Sequence, residues 1–305
     1  MSGNSGKKRL FNAETRCRDC LMELARNASA LATGNAPDIL QQCVAMAGDI
    51  LERSRDRGLT SPQIAHLILS EIKHLSGVPD PFQGFKETEM AHAREVFSRL
   101  DGNAVSDLRA MVALAALGNS VDFFRDPKTA LSESPRQFAE GITFFKNDAD
   151  RLEAFLARKP EMVLYFTDNA GEVYFDLPLF DFIKGKAEKT VLVVKGGPAL
   201  NDLTREELSN ANLEGRFDKV MDTGSDAPGI DWGLAPEELT DLVRSADLII
   251  SKGMANFETI FPQPLPTPVF YLFKVKCKVI QSYLDAPEGS FMAMWRDKGS
   301  LPEDA

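Results

Sequence analysis

A change of rhythm at Lys159-Pro160 constrains the fold of this chain more than any other feature. Upstream, apolar residues recur three and four positions apart, as in Leu21-Leu24-Ala25-Ala28, Ile39-Cys43-Met46-Ile50-Leu51 and Ile64-Leu67-Ile68-Ile72, which is the spacing of one helix face. Downstream, short β-rich runs at 163–166, 191–194, 219–221, 248–250 and 268–273 alternate with helical segments. Strand, polar turn, helix and strand in that order build a parallel sheet covered by helices, with right-handed crossovers.

The expected class is α/β. A three-layer α/β/α domain with a mostly parallel Rossmann-like sheet spans 159–305, and an all-helical N-terminal region spans 1–158. Further helices are expected at 86–100, 105–117, 134–145 and 148–158. Ser61-Pro62 reads as the start of a helix, with the serine as cap and the proline in the first turn. The tail at 287–305 is largely polar and is expected to lie across the surface.

Composition narrows the function. With 45 acidic and 35 basic side chains the net charge is -10, which opposes a polyanion-binding surface, so nucleic acid is not an expected partner. The longest membrane-like stretch, at 111–117, falls far short of the roughly 20 residues a span needs. No apolar run follows the polar, basic start from Met1 to Lys8. A cytoplasmic protein without a membrane partner is the expectation. Four cysteines do not make a disulfide scaffold in a chain of this size. Cys17 and Cys20 form a CxxC in a helical setting. They serve either packing or a second metal or redox function that recruits Cys277 or Cys43.

Polar residues gather just after each expected strand. Asp168, Asn169 and Glu172 follow the first, and Lys195, Gly196-Gly197, Asn201 and Asp202 the second. Asp222 to Asp226 follow the third, Ser251, Lys252, Gly253 and Asn256 the fourth, and Lys274 and Lys276 the fifth. In a doubly wound sheet those turns share one edge. A single Asp-Asn-x-Gly turn is usually no more than a turn, because both residues bond their own backbone. Repetition at successive strand ends carries more weight. Asp168, Asn169 and Asp202 offer oxygen ligands for one Mg²⁺-like or Mn²⁺-like ion, and nearby lysines and glycine amides can meet phosphoryl oxygens. The chain contains no GxxxxGK[ST], no GxGxxG after a strand, no DxDx[TV] after the first strand, no HExxH and no GxSxG.

The ordered motifs Cys17-Arg18-Asp19-Cys20, Asp80-Pro81-Phe82 with Lys86, Gly118-Asn119-Ser120-Val121-Asp122 and Asp168-Asn169-Ala170-Gly171-Glu172 resemble those of the DUF89 family, the metal-dependent damage-control phosphatases, in its CxxC-containing branch. The likeness continues through 195–204, 251–258 and 272–277, so it spans nearly the whole chain. It implies hydrolysis of phosphate esters of small metabolites with one divalent cation (Mg, Mn, Co or Ni). It also implies cation ligation by Asp168, Asn169 and Asp202, with Asp168 either nucleophile or ligand alone. Phosphate contacts would come from Gly253, Met254, Ala255, Asn256 and Phe257 and from Lys276, the family's late catalytic lysine. Asn119 would reach the same pocket, while Glu172 and Asn201 shape it. Two other readings remain at this stage. One is an S-adenosylmethionine-dependent protein carboxyl methyltransferase, and the other is a non-enzymatic metabolite-binding or redox-sensing protein. The oligomeric state is not fixed by the sequence.

Overall fold

The computed structural model describes residues 15–34, 36–55, 57–100, 107–119 and 141–300. Three amphipathic helices, α1 (Thr15–Thr33), α2 (Pro37–Ser54) and α3 (Ser61–Ser76), pack around Cys43, Ala47, Ile64, Ile68 and Ile72. The cap of α3 is Thr60 rather than Ser61: its amide donates to Gln63 Oε1 at 3.0 Å. This leaves the Ser61 hydroxyl to donate across the fold to Glu258 Oε2 at 2.7 Å.

The remaining elements run α4 (Gln83–Ser98), α5 (Leu108–Gly118), β1 (Phe144–Asn147), α6 (Ala149–Leu156), β2 (Met162–Phe166), α7 (Val173–Lys184), β3 (Lys189–Val194), α8 (Arg205–Asn210), β4 (Lys219–Asp222), α9 (Glu237–Ser245), β5 (Leu248–Lys252), α10 (Met254–Ile260), β6 (Val269–Lys274), α11 (Lys278–Leu284) and β7 (Phe291–Arg296). The seven strands among the described residues form one sheet in the order β1-β7-β6-β5-β2-β3-β4. The five strands expected from the sequence are mutually parallel. Among the described strands only the β6–β7 pairing is antiparallel, so β7 and its parallel partner β1 run the other way.

Alternation along the strands assigns each face. Val163, Tyr165, Leu192, Val194, Leu248 and Ile250 meet α4 to α7 on one side. Leu164, Phe166, Val191, Val193, Ile249 and Tyr271 meet α9 to α11 on the other. The α/β class and the helical N-terminal region are as expected.

Two further local expectations fail. No helix covers the described part of 134–145: Phe144–Asn147 is a strand, with Phe144 edge-on to Phe291 of β7. Residues 134–140, like Ser120, Val121 and Asp122, lie outside the described residues. The tail is not a surface wrap, because Phe291–Arg296 enters the sheet between β6 and β1 and buries Met292 and Ala293. Its polar flanks hide a half-buried strand.

Strand order reverses at β2, which feeds β3 and β4 on one side and lies beside β5 and β6 on the other. The crevice at the carboxyl ends of β2 and β5 is therefore the topological switch point, where open α/β sheets take their ligands.

Candidate active site

Asp168 leaves β2 at this crevice, and the loop carrying it is stitched to the loop after β3. The Leu203 amide donates to the Asp168 carbonyl at 2.8 Å, and the Ala170 amide to the Asn201 carbonyl at 2.8 Å. Asn169 and Asp202 face each other in an isolated antiparallel bridge. Two turns far apart in sequence thus stand side by side, one carrying Asp168 and Asn169 and the other Asp202.

Gly253, at the start of α10, backs this group. It adopts φ +80°, and a Cβ there would stand 2.0 Å from Asp168 Oδ2. Only a residue without a side chain lets the Asp168 carboxylate lie against this backbone. Gly171 has a comparable duty, since its Cβ would meet Glu89 Cγ at 2.6 Å.

The electrostatics are those of crowded acids in a dry place. Burial raises the Asp168 pKa well above the usual carboxylate range, and the charges of Glu172 and Asp202 push the same way against Lys195 and Lys276. Burial also raises Asp202, with Lys195 opposing. Asp202 Oδ2 is buried without a hydrogen-bond partner, and its ion pair with Lys195 Nζ is long at 3.6 Å. A carboxylate oxygen without a hydrogen bond, a second buried carboxylate whose charge it feels, and an asparagine on the facing turn are a donor set suited to a hard divalent cation. The residues present fit that group. Among the described residues no group of three or more His, Cys, Asp and Glu side chains is placed to hold a metal ion, so a cation here would need the Asn169 amide beside the two aspartates.

Other expected site residues take different parts. Asn119, at the end of α5, reaches the centre: its Nδ2 donates to Asp168 Oδ2 at 2.8 Å and to Glu172 Oε1 at 2.7 Å. Asn201 turns away and donates to Glu89 Oε2 at 3.1 Å. Asn256 is a strut, donating to the carbonyls of Thr167 and Lys252 and accepting from Lys195 Nζ at 3.0 Å. Phe257 makes no phosphate clamp: its amide donates to the Gly253 carbonyl, and its ring is buried against Tyr271 and Phe273. The Gly253 amide is likewise engaged, by the Leu272 carbonyl at 3.1 Å. The first-turn amides of Met254, Ala255 and Asn256 are the ones that lack an intrahelical acceptor. Met254 also accepts at its sulfur from the Lys276 amide, 3.3 Å away.

The lysines divide sharply. Lys252 is fully buried and bound to Glu172 Oε2 at 2.8 Å and Asp176 Oδ1 at 2.7 Å, so it is no rim lysine. Lys195 is buried too, donating to the Gly229 carbonyl at 2.9 Å. Lys276 is half-buried, and its charge is felt at Asp168.

Several contributors were not singled out from the sequence. Glu89 of α4 is completely buried beside Asn201, and burial lifts its pKa well above normal. Asp176, one helical turn after Glu172 on the buried, otherwise apolar face of α7, receives Lys252, and burial lifts its pKa to about 7. An acid at that spacing inside an apolar helix face was the available signal. Asp226 does more than form a turn: it takes His66 at 2.9 Å and Lys73 at 2.6 Å, clasping α3 to the loop after β4.

The cysteines expected to form a second metal or redox group are divided, with Cys20 of α1 close enough to Cys277 for their charges to interact. Cys17 is buried in the α1–α3 core. Burial raises the Cys20 thiol, with Cys277, Glu23 and Glu258 adding to the effect, which opposes thiolate reactivity. A cavity of about 590 Å³ at the amino-terminal ends of β5 and β6, near Phe155, Pro268 and Trp295, gathers no comparable set of oxygen ligands. No described helix is long and apolar enough to cross a membrane.

Comparison with known proteins identifies the family. The family model of the damage-control phosphatase ARMT1-like domain matches residues 13–292. A damage-control phosphatase from Pyrococcus horikoshii is 30% identical over 291 residues, covering 93% of this chain and 98% of that protein. One from Archaeoglobus fulgidus is 28% identical over 285 residues, covering 91% and 96%. The crystal structure of a DUF89 family protein from Pyrococcus horikoshii superposes with a TM-score of 0.83 at 28% identity, covering 95% of this chain and 99% of that one. With its fold, its crevice and its full-length likeness in accord, the chain belongs to the damage-control phosphatase ARMT1-like, or DUF89, family.

Proposed function

We propose that this protein is a divalent-metal-dependent phosphatase that hydrolyses phosphate monoesters of small metabolites. Asp168, Asn169 and Asp202 would hold the cation. Lys276 and the first-turn amides of Met254, Ala255 and Asn256 would meet the phosphate. The observation that carries the reading is the buried Asp202 Oδ2, which has no hydrogen bond and only a long ion pair to Lys195, near an Asp168 whose own pKa is driven up by burial and neighbouring charge. When bound, a divalent cation would offset that crowding and polarise a phosphoryl oxygen. The protein's own groups do the positioning. Asn119 and Gly253 fix the Asp168 carboxylate, Lys195 and Asn256 brace Asp202 and the β5 end, and Lys276 adds positive charge where phosphate oxygens would lie.

The test is hydrolysis of p-nitrophenyl phosphate with added Mg²⁺, Mn²⁺, Co²⁺ or Ni²⁺. Asp168→Ala should abolish turnover while leaving thermal unfolding of the metal-stripped protein cooperative. Chelation should silence the wild type, and re-added cation should restore it. Undiminished turnover by the folded variant would remove Asp168 from the chemistry.

A further inference from the structure

We infer that Lys252, Glu172 and Asn119 act as positioning residues that decide which atom of Asn169 faces the cation. The inference rests on the cation reading above and assigns Glu172 and Lys252 no contact with substrate. Its logic starts from groups that can only donate. The backbone amide of Lys274 donates to Asn119 Oδ1 at 2.9 Å, so the Asn119 nitrogen must turn the other way. There it meets Asp168 Oδ2 at 2.8 Å and Glu172 Oε1 at 2.7 Å. The Lys252 ammonium, also a pure donor, takes the second oxygen, Glu172 Oε2, at 2.8 Å. Both oxygens of Glu172 are therefore committed as acceptors.

Asn169 lies against this fixed acceptor, 2.7 Å from Glu172 Oε1. An amide oxygen in that place would oppose a carboxylate oxygen, so the contact selects the nitrogen. The Asn169 oxygen is turned to the opposite side, as a cation ligand requires. The Asn119 bond has the same effect on Asp168, engaging Oδ2 and leaving Oδ1. Lys252 also accepts from Asn256 Nδ2 at its carbonyl, 2.8 Å away. That contact turns the Asn256 oxygen toward Lys195. Asp176 balances the buried ammonium from its far side, at 2.7 Å. The polarity of the rim is thus set from inside the protein, by side chains that are themselves buried.

The test is calorimetric titration of Mn²⁺ into metal-stripped protein, with thermal unfolding alongside. Glu172→Gln is nearly isosteric but brings one NH₂ where two acceptors are needed, so Asn169 loses its orienting partner. Mn²⁺ affinity should fall about 10- to 100-fold, the usual cost of losing an orienting partner of a ligand. Adding Asn169→Asp should recover much of that loss, because the introduced carboxylate accepts from the new NH₂ and still offers an oxygen to the cation. Asn119→Ala removes a donor while keeping every buried charge, and should also weaken Mn²⁺ binding, so the inference stays open to test even if Glu172→Gln does not fold. Wild-type affinity in Glu172→Gln or Asn119→Ala, or a double variant no better than Glu172→Gln alone, would overturn the orienting role and leave the cation reading standing. A wild type that takes up no Mn²⁺ would overturn the cation reading itself.

Discussion

One methyl group at Gly253 should cost activity out of proportion to its size. Gly253 lies at φ +80° and ψ 164°, a region that residues with a Cβ enter at about 1–3 kcal/mol. In Gly253→Ala the new carbon would stand 2.0 Å from Asp168 Oδ2 and 2.1 Å from its Cγ. Ordinary carbon–oxygen approach is roughly 3.3 Å or more, so the carboxylate or the α10 start must retreat by about 1 Å. Asn119, bonded to the same oxygen, resists that retreat. A displacement of about 1 Å at a reacting centre costs on the order of 100-fold in rate. Initial rates on p-nitrophenyl phosphate with saturating Mn²⁺ should therefore fall by about that factor. Melting of the metal-stripped protein should drop by only a few degrees, as about 1–3 kcal/mol implies. A folded Gly253→Ala protein with wild-type rates would refute the placement of Asp168 against this backbone.

Two further outcomes follow from buried charge. Burial lifts Glu258 from its ordinary 4.5 to about 7, so the folded protein holds this proton more tightly than the unfolded chain does. The corresponding stability is full below pH 4.5 and is lost as pH rises to about 7, roughly 3 kcal/mol at most. Glu258→Gln keeps an acceptor for Ser61, so it should melt with the wild type at pH 4 and above it at pH 8. Identical melting at pH 8 would refute the burial argument. Lys86 is 1% exposed between Asp80 at 2.7 Å and Glu207 at 2.5 Å. Burial opposes its charge, yet the two carboxylates more than offset this and hold the pKa above the ordinary lysine value. Lys86→Met strands both acids and should lower stability by about 3–5 kcal/mol, read as a lower urea midpoint. An unshifted midpoint would show the trio to be inert.

What could be read from the sequence tracks how each residue earns its place. The parallel strands were legible because burial on both faces makes them continuous apolar runs, as in Leu248-Ile249-Ile250. Asp168, Asn169 and Asp202 were legible because strand ends in such sheets converge. The edge strand β1 was not, since three of its four residues are exposed and its pattern lacks a buried run. Nor was β7, whose alternation is short and flanked by polar residues. Lys252 misled for a physical reason: a lysine after an apolar strand reads as solvated, and only the tertiary partners Glu172 and Asp176 make its burial tolerable. Phe257 misled because sequence places a residue on a loop without saying which hydrogen bond its amide already serves.

The position of β7 bears on how the chain is made. β1 sits at the sheet's margin and pairs with β7 alone among the described strands, although the whole run of parallel strands is synthesised between them. During translation, residues 144–147 must therefore wait, without a ladder partner, until 291–296 leave the ribosome. The parallel core from β2 to β6 can form first, with its reversed border added last. Truncation upstream of Phe291 would leave both β6 and β1 as open margins, a state prone to pair with another molecule. Nascent chains of this protein should accordingly depend on chaperone cover longest at the seam where β1 and β7 join.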